Sequence, residues 1–329
     1  MSIFKNKSQD NPTKDIDYSK LQLHKNLKKN LKEIPEILGN SSDIVIREFR
    51  LSNDPYTQVA IIYLDGMTDK RLINDDIIKP IMLGFLNVNS EDLKGPKRTF
   101  EIIKELGISS GEIKDCDNFQ KLLDSIFCGD TILLIDGSRL GLTIGSKGWE
   151  NRGVTLADSE PSTYGPQESF TETLRINTSL LRRKIKHQNL RLESFQIGKY
   201  TKTEVNLVYI KDIASEDIIT ELKTRLNDIK AEGIIDSAYI ERAVDDKKPF
   251  KSFPTIISTE KPDYVAIKLL EGRVAIIVDG SPFALFMPVF FTDLFKTTPD
   301  YYLSSGIEYF TRGLRYIAFL ISILLPGIY

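Results

Sequence analysis

Apolar and polar positions follow the same order in two stretches of the chain. In the first, a strand pattern at residues 59–64 is followed by helical patterns and by an apolar run that ends in Asp-Gly at 136–137. In the second, a strand pattern at residues 205–210 is followed by helical patterns and by an apolar run that ends in Asp-Gly at 279–280. β-branched and aromatic residues favour strands, whereas apolar residues at helical spacing favour helices. The matched order predicts an internal duplication of one α/β unit.

The first unit is predicted over residues 31–150 and the second over residues 201–290. In the first, the patterns predict strands at 45–51, 59–64, 131–135 and 140–144 and helices at 74–85, 100–106 and 119–127. In the second, they predict strands at 205–210 and 273–278 and helices at 216–230 and 237–242. An Asp-Gly pair between apolar runs indicates a tight hairpin, because glycine readily adopts positive φ. We therefore interpret both Asp-Gly pairs as structural turns.

A strap and a basic helix are predicted to join the two units over residues 151–200. The strap carries Gly165 and Pro166, which favour turns. The helix is predicted to begin at Glu168, with Glu168 and Glu172 in its first turn, the basic cluster at 182–186 in its last turn and a basic surface along its length, the favourable order for a helix dipole. These basic residues are Arg175, Arg182, Arg183, Lys184 and Lys186.

Residues 1–30 are predicted to form a basic, disordered arm. Lysines lie among polar residues there, and the segment has no apolar core of the kind found in secretory signal peptides. A weak attraction of this arm to an anionic membrane surface is the alternative interpretation.

The last segment, residues 291–329, is expected to lie next to a membrane. No charged side chain follows Arg315, and the remaining apolar run at 316–329 is shorter than the roughly 20 residues of a membrane-spanning helix. We predict a transmembrane helix truncated by the end of the chain, with a buried C-terminal helix as the alternative. The residues assigned to this membrane segment are Leu314, Tyr316, Phe319, Leu320, Leu324 and Pro326. Lys296, Arg312 and Arg315 favour a cytoplasmic location for the preceding region.

Composition and charge narrow the classes of function. The formal net charge is −2 at a charged content of 27%, which gives no reason to expect nucleic-acid binding. The two cysteines and two histidines lack metal-ligand spacing, so no metal site is expected. The glycines at 137–148 do not fit a phosphate-binding loop, so no cofactor is expected either. Asp136 and Asp279 are candidate catalytic carboxylates, but both lie in predicted turns and no nucleophile–base pair accompanies them, so we expect no enzyme activity.

Four motifs resemble the A subunit of GerA-type spore germination receptors. They are GPQESFTETLRINTSLLRRKI, TKTEVNLVYIKDIA, LLEGRVAIIVDGSPF and LRYIAFLISILLPGIY. They occur in the family order between residues 127 and 329. The resemblance is weaker over the first unit and absent from the N-terminal arm.

This resemblance implies a cytosolic, core-facing region of two α/β subdomains followed by membrane helices in the spore inner membrane. It also implies a transporter-like B subunit, a lipoprotein C subunit and a homo-oligomer of A subunits as partners. Such complexes sense nutrient germinants, with recognition usually placed in the B subunit, and their A subunits form a ligand-gated ion channel. We therefore expect an A subunit that contributes to germinant-gated ion release and to the signalling of germination.

The chain departs from the family pattern in two places. The family strap is close to R-G-P-R-E-G-F-T-E, whereas Tyr164, Gln167 and Ser169 stand here in place of its two arginines and its second glycine. The chain also ends where further membrane helices would follow. Alone it is not expected to form a channel, which leaves a fragment, a frame-shifted copy and a short paralogue as interpretations.

The candidate sites lie at the joint between the units. We predict that the strap and the basic helix couple the units through Arg152, Gly165, Pro166, Glu168, Phe170, Glu172, Arg175, Arg182 and Arg183. Charge reversal of Arg182 and Arg183 is expected to disrupt assembly or signalling in a full-length homologue, unless both arginines form a solvated helix face. The alternative function is a soluble two-lobed module that binds a small molecule between its units or acts as a regulator.

Overall fold

The computed structural model describes residues 17–51, 57–86, 96–105, 112–148, 165–245, 254–302 and 305–328. The strands β1 to β10 are Ile44–Arg50, Gln58–Leu64, Ile113–Cys116, Thr131–Ile135, Gly141–Ile144, Leu190–Ile197, Thr203–Ile210, Ile257–Thr259, Val274–Val278 and Ala284–Met287. The helices α1 to α9 are Leu27–Ile37, Lys79–Leu86, Pro96–Glu105, Phe119–Phe127, Leu174–Lys184, Glu216–Asn227, Ser237–Val244, Pro262–Leu270 and Ser305–Ile328. A π-helical turn, Leu72–Ile78, leads into α2, and two 3-10 turns, Phe291–Phe295 and Thr298–Tyr302, precede α9.

The strands form two five-stranded sheets with the same topology. The first sheet has the order β1-β2-β4-β5-β3 and the second the order β6-β7-β9-β10-β8. Every pairing between the described strands is antiparallel. Each strand of the second sheet therefore occupies the place of one strand in the first. The prediction of two similar mixed α/β units is confirmed.

Helices cover both faces of each sheet. Successive side chains of a strand point to opposite faces, so Val59 and Ile61 of β2 join one core cluster and Ala60 and Ile62 join another. The first cluster packs against α2 and α3, and the second against α1 and α4. In the second unit, α5 and α8 lie on one face and α6 and α7 on the other. The strands β2, β4, β7 and β9 are mostly apolar because both of their faces are buried, with Asn206 of β7 as a buried polar exception.

Both Asp-Gly turns fasten the first helix of their unit to the sheet. Asp136 Oδ1 accepts a hydrogen bond from the backbone N–H of Leu27 at 2.9 Å, and Asp279 Oδ1 accepts one from that of Leu174 at 3.1 Å. Leu27 and Leu174 are the first residues of α1 and α5. The free N–H groups and the positive dipole end of a helix favour a carboxylate there. The two carboxylates considered for catalysis are thus helix caps.

A buried asparagine in each of these helices holds the backbone that precedes it. The side-chain amide of Asn30 exchanges two hydrogen bonds with the backbone N–H and C=O of His24, at 2.9 and 2.8 Å. Asn177 exchanges the same pair with Thr171, at 2.7 and 2.5 Å. Each asparagine satisfies two backbone groups that would otherwise be unpaired. The entry into both units is therefore fixed by the same device.

The helix at the joint begins later than predicted. α5 starts at Leu174 rather than at Glu168, because the carboxylate of Asp279 caps it there. Glu168 and Glu172 therefore precede the helix. The predicted linker at 151–200 also ends in β6, which is an edge strand of the second sheet. α5 and β6 belong to the second unit as α1 and β1 belong to the first.

Part of the predicted N-terminal arm packs on the first unit. Residues 1–16 lie outside the described residues. Gln22 forms a β-bridge with Asn118, and Leu23 and Leu27 are buried in the core cluster of α1 and α4. The prediction of disorder therefore does not hold for residues 17–30, because their leucines are part of the core.

The prediction of a truncated transmembrane helix is not supported. Among the helices within the described ranges, none combines the length and the apolarity needed to cross a bilayer. The predicted membrane residues, Leu314 to Pro326, lie in α9, which also carries Glu308, Arg312 and Arg315. Arg315 in turn pairs with Asp300. The charged first half of the helix is thus continuous with its apolar second half.

We predict that Asn177→Ala lowers the free energy of unfolding by about 1–3 kcal/mol, because it leaves the buried N–H and C=O of Thr171 without partners. Urea unfolding followed by circular dichroism measures the change. The matched control is Asn227→Ala at the exposed end of α6, for which we expect a change within about 0.5 kcal/mol. Equal effects of the two substitutions would contradict this role of Asn177.

Candidate functional site at the contact between the two units

Helix α5 belongs to the second unit but also faces the first. Its apolar residues Leu174 and Leu181 are buried against the second sheet and α8. Arg175 and Arg182 extend instead toward residues 41–43, which connect α1 to β1 in the first unit. The helix therefore contacts both units.

A buried ion pair joins the units. Arg182 Nε donates to Asp43 Oδ2 at 2.7 Å and Arg182 Nη2 donates to Asp43 Oδ1 at 3.1 Å, a bidentate geometry. Arg182 Nη2 also donates to Ser41 Oγ at 2.9 Å. The two side chains are only 2% and 1% exposed. The guanidinium carbon lies 5.3 Å from the centre of the Phe127 ring. Arg182 is therefore a buried contact and not part of a solvated helix face.

Asp43 remains charged in this environment. Burial alone would raise the pKa of its carboxyl, but the charge and hydrogen bonds of Arg182, with the hydroxyl of Ser41, hold that pKa below its ordinary value. Removing one partner of such a pair leaves an uncompensated buried charge. The pair consequently makes separation of the two units costly.

Residues 38–43 of the first unit cover the edge of the second sheet. Ser42 N–H donates to the carbonyl of Leu192 in β6 at 3.0 Å, and Leu192 N–H donates to Ser41 Oγ at 3.2 Å. From the other face of β6, Arg191 Nη2 donates to the carbonyl of Ile37 at 3.0 Å. An edge strand exposes unpaired backbone groups, and this segment satisfies some of those of β6. Arg182 and Arg191 hold the segment from the two faces of the strand.

Arg175 provides a second, more exposed link. Its guanidinium lies 3.2 Å from Glu204 in the second unit and 3.7 Å from Asp65 in the first. It also approaches the carbonyl of Ser42 at 3.5 Å. Because Arg175 is about one third exposed, solvent weakens these interactions relative to the buried pair. Arg175 therefore adds orientation more than stability.

Two clefts flank α5 at this contact. The larger has a volume of about 520 Å³ and is lined from the first unit by Asp69, Lys70 and Arg71 and from the second by Arg175 and Ser179, among others. The smaller, of about 440 Å³, is lined by Lys147, Glu168, Arg183, Lys184 and Lys186 with Met67, Cys128 and Leu180. Both clefts are open to solvent and lined by charged side chains. They are suited to a polar molecule.

The remaining predicted residues lie around the strap. Glu168 accepts from Arg183 at 3.3 Å and lies 3.8 Å from Lys184, so a partly exposed pair joins α5 to the strap. Phe170 is buried in the core of the second unit. Gly165 has φ +93°, and a side chain there would collide with the ring of Tyr302. Pro166 is half-buried, the carbonyl of Glu172 accepts from Gly280 N–H at 2.8 Å, and Arg152 lies outside the described residues.

Sequence reasoning missed Ser41, Asp43 and Arg191. Asp43 precedes a predicted strand and Ser41 lies in a polar stretch, which is ordinary for a surface loop. Arg191 lies between two leucines at the start of β6, and a buried arginine is rare without a partner. The sequence could therefore have indicated a partner for Arg191, but not which residue it is.

A family model described as Bacillus/Clostridium GerA spore germination protein matches residues 32–329. Spore germination protein KA of Bacillus subtilis (strain 168) is 35% identical over 303 residues, which cover 92% of this chain and 54% of that protein. The uncharacterized membrane protein YfkQ of the same strain is 34% identical over 304 residues, which cover 92% of this chain and 57% of that protein. The chain thus spans little more than half the length of these relatives.

A solved structure resembles the chain over most of its length. It is the crystal structure of the N-terminal domain of the A subunit of the Bacillus megaterium spore germinant receptor GerK3. The TM-score is 0.64 at 37% sequence identity, over 82% of this chain and 97% of that one. The chain therefore has the fold of that domain and a related sequence.

We predict that Arg182→Met lowers the free energy of unfolding by about 3–5 kcal/mol, because Asp43 is left as an unpaired buried charge. Chemical unfolding of the variant and the parent chain measures this difference. Arg183→Met, next to it on the same helix, removes a partly exposed pair with Glu168 and is expected to cost no more than about 1 kcal/mol. If the two variants were equally stable, the ion pair with Asp43 would not hold the units together.

Proposed function

Because the chain belongs to the GerA family of spore germination proteins, we propose that it forms the N-terminal region of a nutrient germinant receptor A subunit. The observation that carries this proposal is its match to the N-terminal domain of the GerK3 A subunit, which extends over nearly all of that domain. The relatives named as spore germination proteins support the same role.

We propose further that this A subunit acts at the spore inner membrane with B-type and C-type subunits and with other copies of itself. Its two α/β units would face the cytoplasm of the spore core, and the assembly would contribute to germinant-gated ion release. The four motifs that resemble the family and the membrane protein among the relatives support this assignment.

In this proposal the contact between the units transmits a signal and performs no chemistry. Asp136 and Asp279 each accept the first backbone N–H of a helix with Oδ1, which supports a structural role for both carboxylates. The Arg182–Asp43 pair and the contact of residues 41–43 with β6 hold the units together. A movement of one unit would therefore displace the other. We therefore propose a non-enzymatic role in coupling.

We predict that spores lacking this chain lose the response to at least one nutrient in a panel of amino acids and sugars, measured as potassium release after nutrient addition. Restoring the wild-type gene or Arg183→Met should restore release, whereas Arg182→Met should not, because it breaks the contact between the units. A blot of carbonate-washed spore membranes checks that each variant is present. The proposal would be contradicted if the deletion strain responded normally to the whole panel and the wild-type strain had no band for this chain in the membrane pellet.

A second candidate function is the binding of a small polar molecule in the larger cleft. The observation that favours it is the cleft of about 520 Å³ between the units, whose lining holds both carboxylates and basic groups. Pockets of this size at domain contacts commonly hold small ligands. Arg175 would contact such a ligand directly, since it lines the cleft and is partly exposed.

For this candidate we predict saturable heat in calorimetry of the full chain with one of the same amino acids or sugars at millimolar concentration. Arg175→Met should abolish the heat, whereas Arg47→Met, which removes an exposed arginine of β1 outside the cleft, should leave it unchanged. Absence of saturable heat for the whole panel would reject this function and leave the coupling role untouched.

A further inference from the structure

Two consecutive turns between the second unit and α9 are built in the same way. In the first, Asp293 accepts a hydrogen bond from the backbone N–H of Phe290 at 3.0 Å. In the second, Asp300 accepts one from the backbone N–H of Thr297 at 2.9 Å. The backbone N–H of each aspartate returns a bond to the carbonyl of the same partner, at 2.8 and 3.0 Å. Each turn is therefore closed by its own carboxylate.

The two aspartates point to different parts of the molecule. Asp293 lies 2.9 Å from Lys268 of α8 and 3.2 Å from Arg273, which immediately precedes β9, so it faces the second unit. Asp300 accepts from Arg315 of α9 at 3.0 Å. One turn is thus paired with the α/β unit and the other with the helix.

The carboxylates of both pairs are buried. Asp293 is 2% exposed and Asp300 is 1% exposed, while Lys268 is fully buried. Burial would raise the pKa of both carboxyls, but their hydrogen bonds and the neighbouring basic groups hold each pKa below its ordinary value. Both aspartates are therefore charged at neutral pH, and each depends on its basic partner.

Further contacts stiffen each side of this segment. Lys268 also donates to the hydroxyl of Tyr301 at 3.1 Å, and the hydroxyl of Tyr302 donates to Asp263 of α8 at 2.7 Å. On the other side, Arg315 donates to the carbonyl of Phe295 at 2.9 Å. The ring of Phe295 stacks on that of Tyr316 in α9, with 4.3 Å between centroids.

The strap reaches the same place. Gly165 lies against the ring of Tyr302 with no room for a side chain. Residues 290–302 therefore contact three parts of the molecule: the strap, the second unit and α9. A rigid element in contact with all three fixes their relative orientation.

We propose that residues 290–302, the coupling block, set the orientation of α9 relative to the second unit through the two aspartate-closed turns. Lys268 and Arg315 are its positioning residues, one on each side. The block transmits movement of the α/β units to α9 and to whatever follows α9 in longer relatives. Its part in germination signalling rests on the proposed receptor function, whereas its rigidity does not.

The experiment measures distances between spin labels in the full chain held in detergent micelles. Labels at Thr220→Cys in α6 and Tyr309→Cys in α9 report the orientation of α9, and labels at Thr220→Cys and Met82→Cys report the two units. Cys128→Ser removes the exposed native thiol, and Cys116 is buried. We expect a narrow distribution for both label pairs in the parent chain.

Lys268→Met and Arg315→Met should each abolish the narrow α9 distribution and leave the distribution between the units unchanged. Asp300→Asn, which keeps an acceptor for Thr297 N–H but loses the charge, should give the same loss for α9. The matched control is Arg312→Met, whose partner Glu308 lies in α9 itself, and it should keep both distributions narrow.

A narrow α9 distribution in all of these variants would overturn the proposal. A loss in both label pairs would overturn it as well, because the residues would then hold the whole fold and not the orientation of α9. The measurement is made without nutrient or partner subunits, so its outcome is independent of the receptor assignment. If α9 loosens as expected but the same substitutions in a longer relative leave nutrient-triggered potassium release normal, the block orients α9 but has no part in germination signalling.

Discussion

The buried charge of Arg182 is the constraint on which the arrangement of the two units depends. A guanidinium at 2% exposure requires a carboxylate in the right place, and Asp43 of the other unit supplies it. That requirement brings residues 41–43 against the edge of β6 and leaves open clefts on either side of α5. Three directed hydrogen bonds of Arg182 join the units at this pair, so polar geometry fixes how they meet there.

The two units keep the same skeleton but differ in what they bury. Both retain the carboxylate cap and the asparagine that fixes the entry into the first helix. They differ in the second strand of each sheet, where Asn206 of β7 stands at the place of Ala60 in β2. Asn206 is fully buried, and neither polar atom of its amide has a hydrogen-bond partner among the described residues. An unpaired buried amide lowers stability. The core of the second unit therefore carries a cost at this position that the core of the first unit, with Ala60, does not.

Local sequence patterns predicted most of the helices and strands. They could not predict contacts between residues far apart in the sequence. The hairpin of β4 and β5 and the helix α6 follow from turn chemistry and apolar spacing, which a short window contains. The start of α5 was misplaced because its cap, Asp279, lies 105 residues away. The same reason hides the contact between the units, since Arg182 and Asp43 are 139 residues apart. The sequence of the basic helix does not distinguish the buried Arg182 from the partly exposed Arg183.

The covered edge of β6 has a consequence for how the protein is made. Residues 38–43 leave the ribosome long before β6 is synthesised, and domains of a growing chain generally fold from the N-terminus onward. The first unit can therefore present its covering segment as soon as the second sheet forms. An uncovered edge strand is a template for pairing with other chains. The order of translation thus shields the nascent second unit from neighbouring polypeptides on the same messenger, a protection that reversing the two units in the gene would remove.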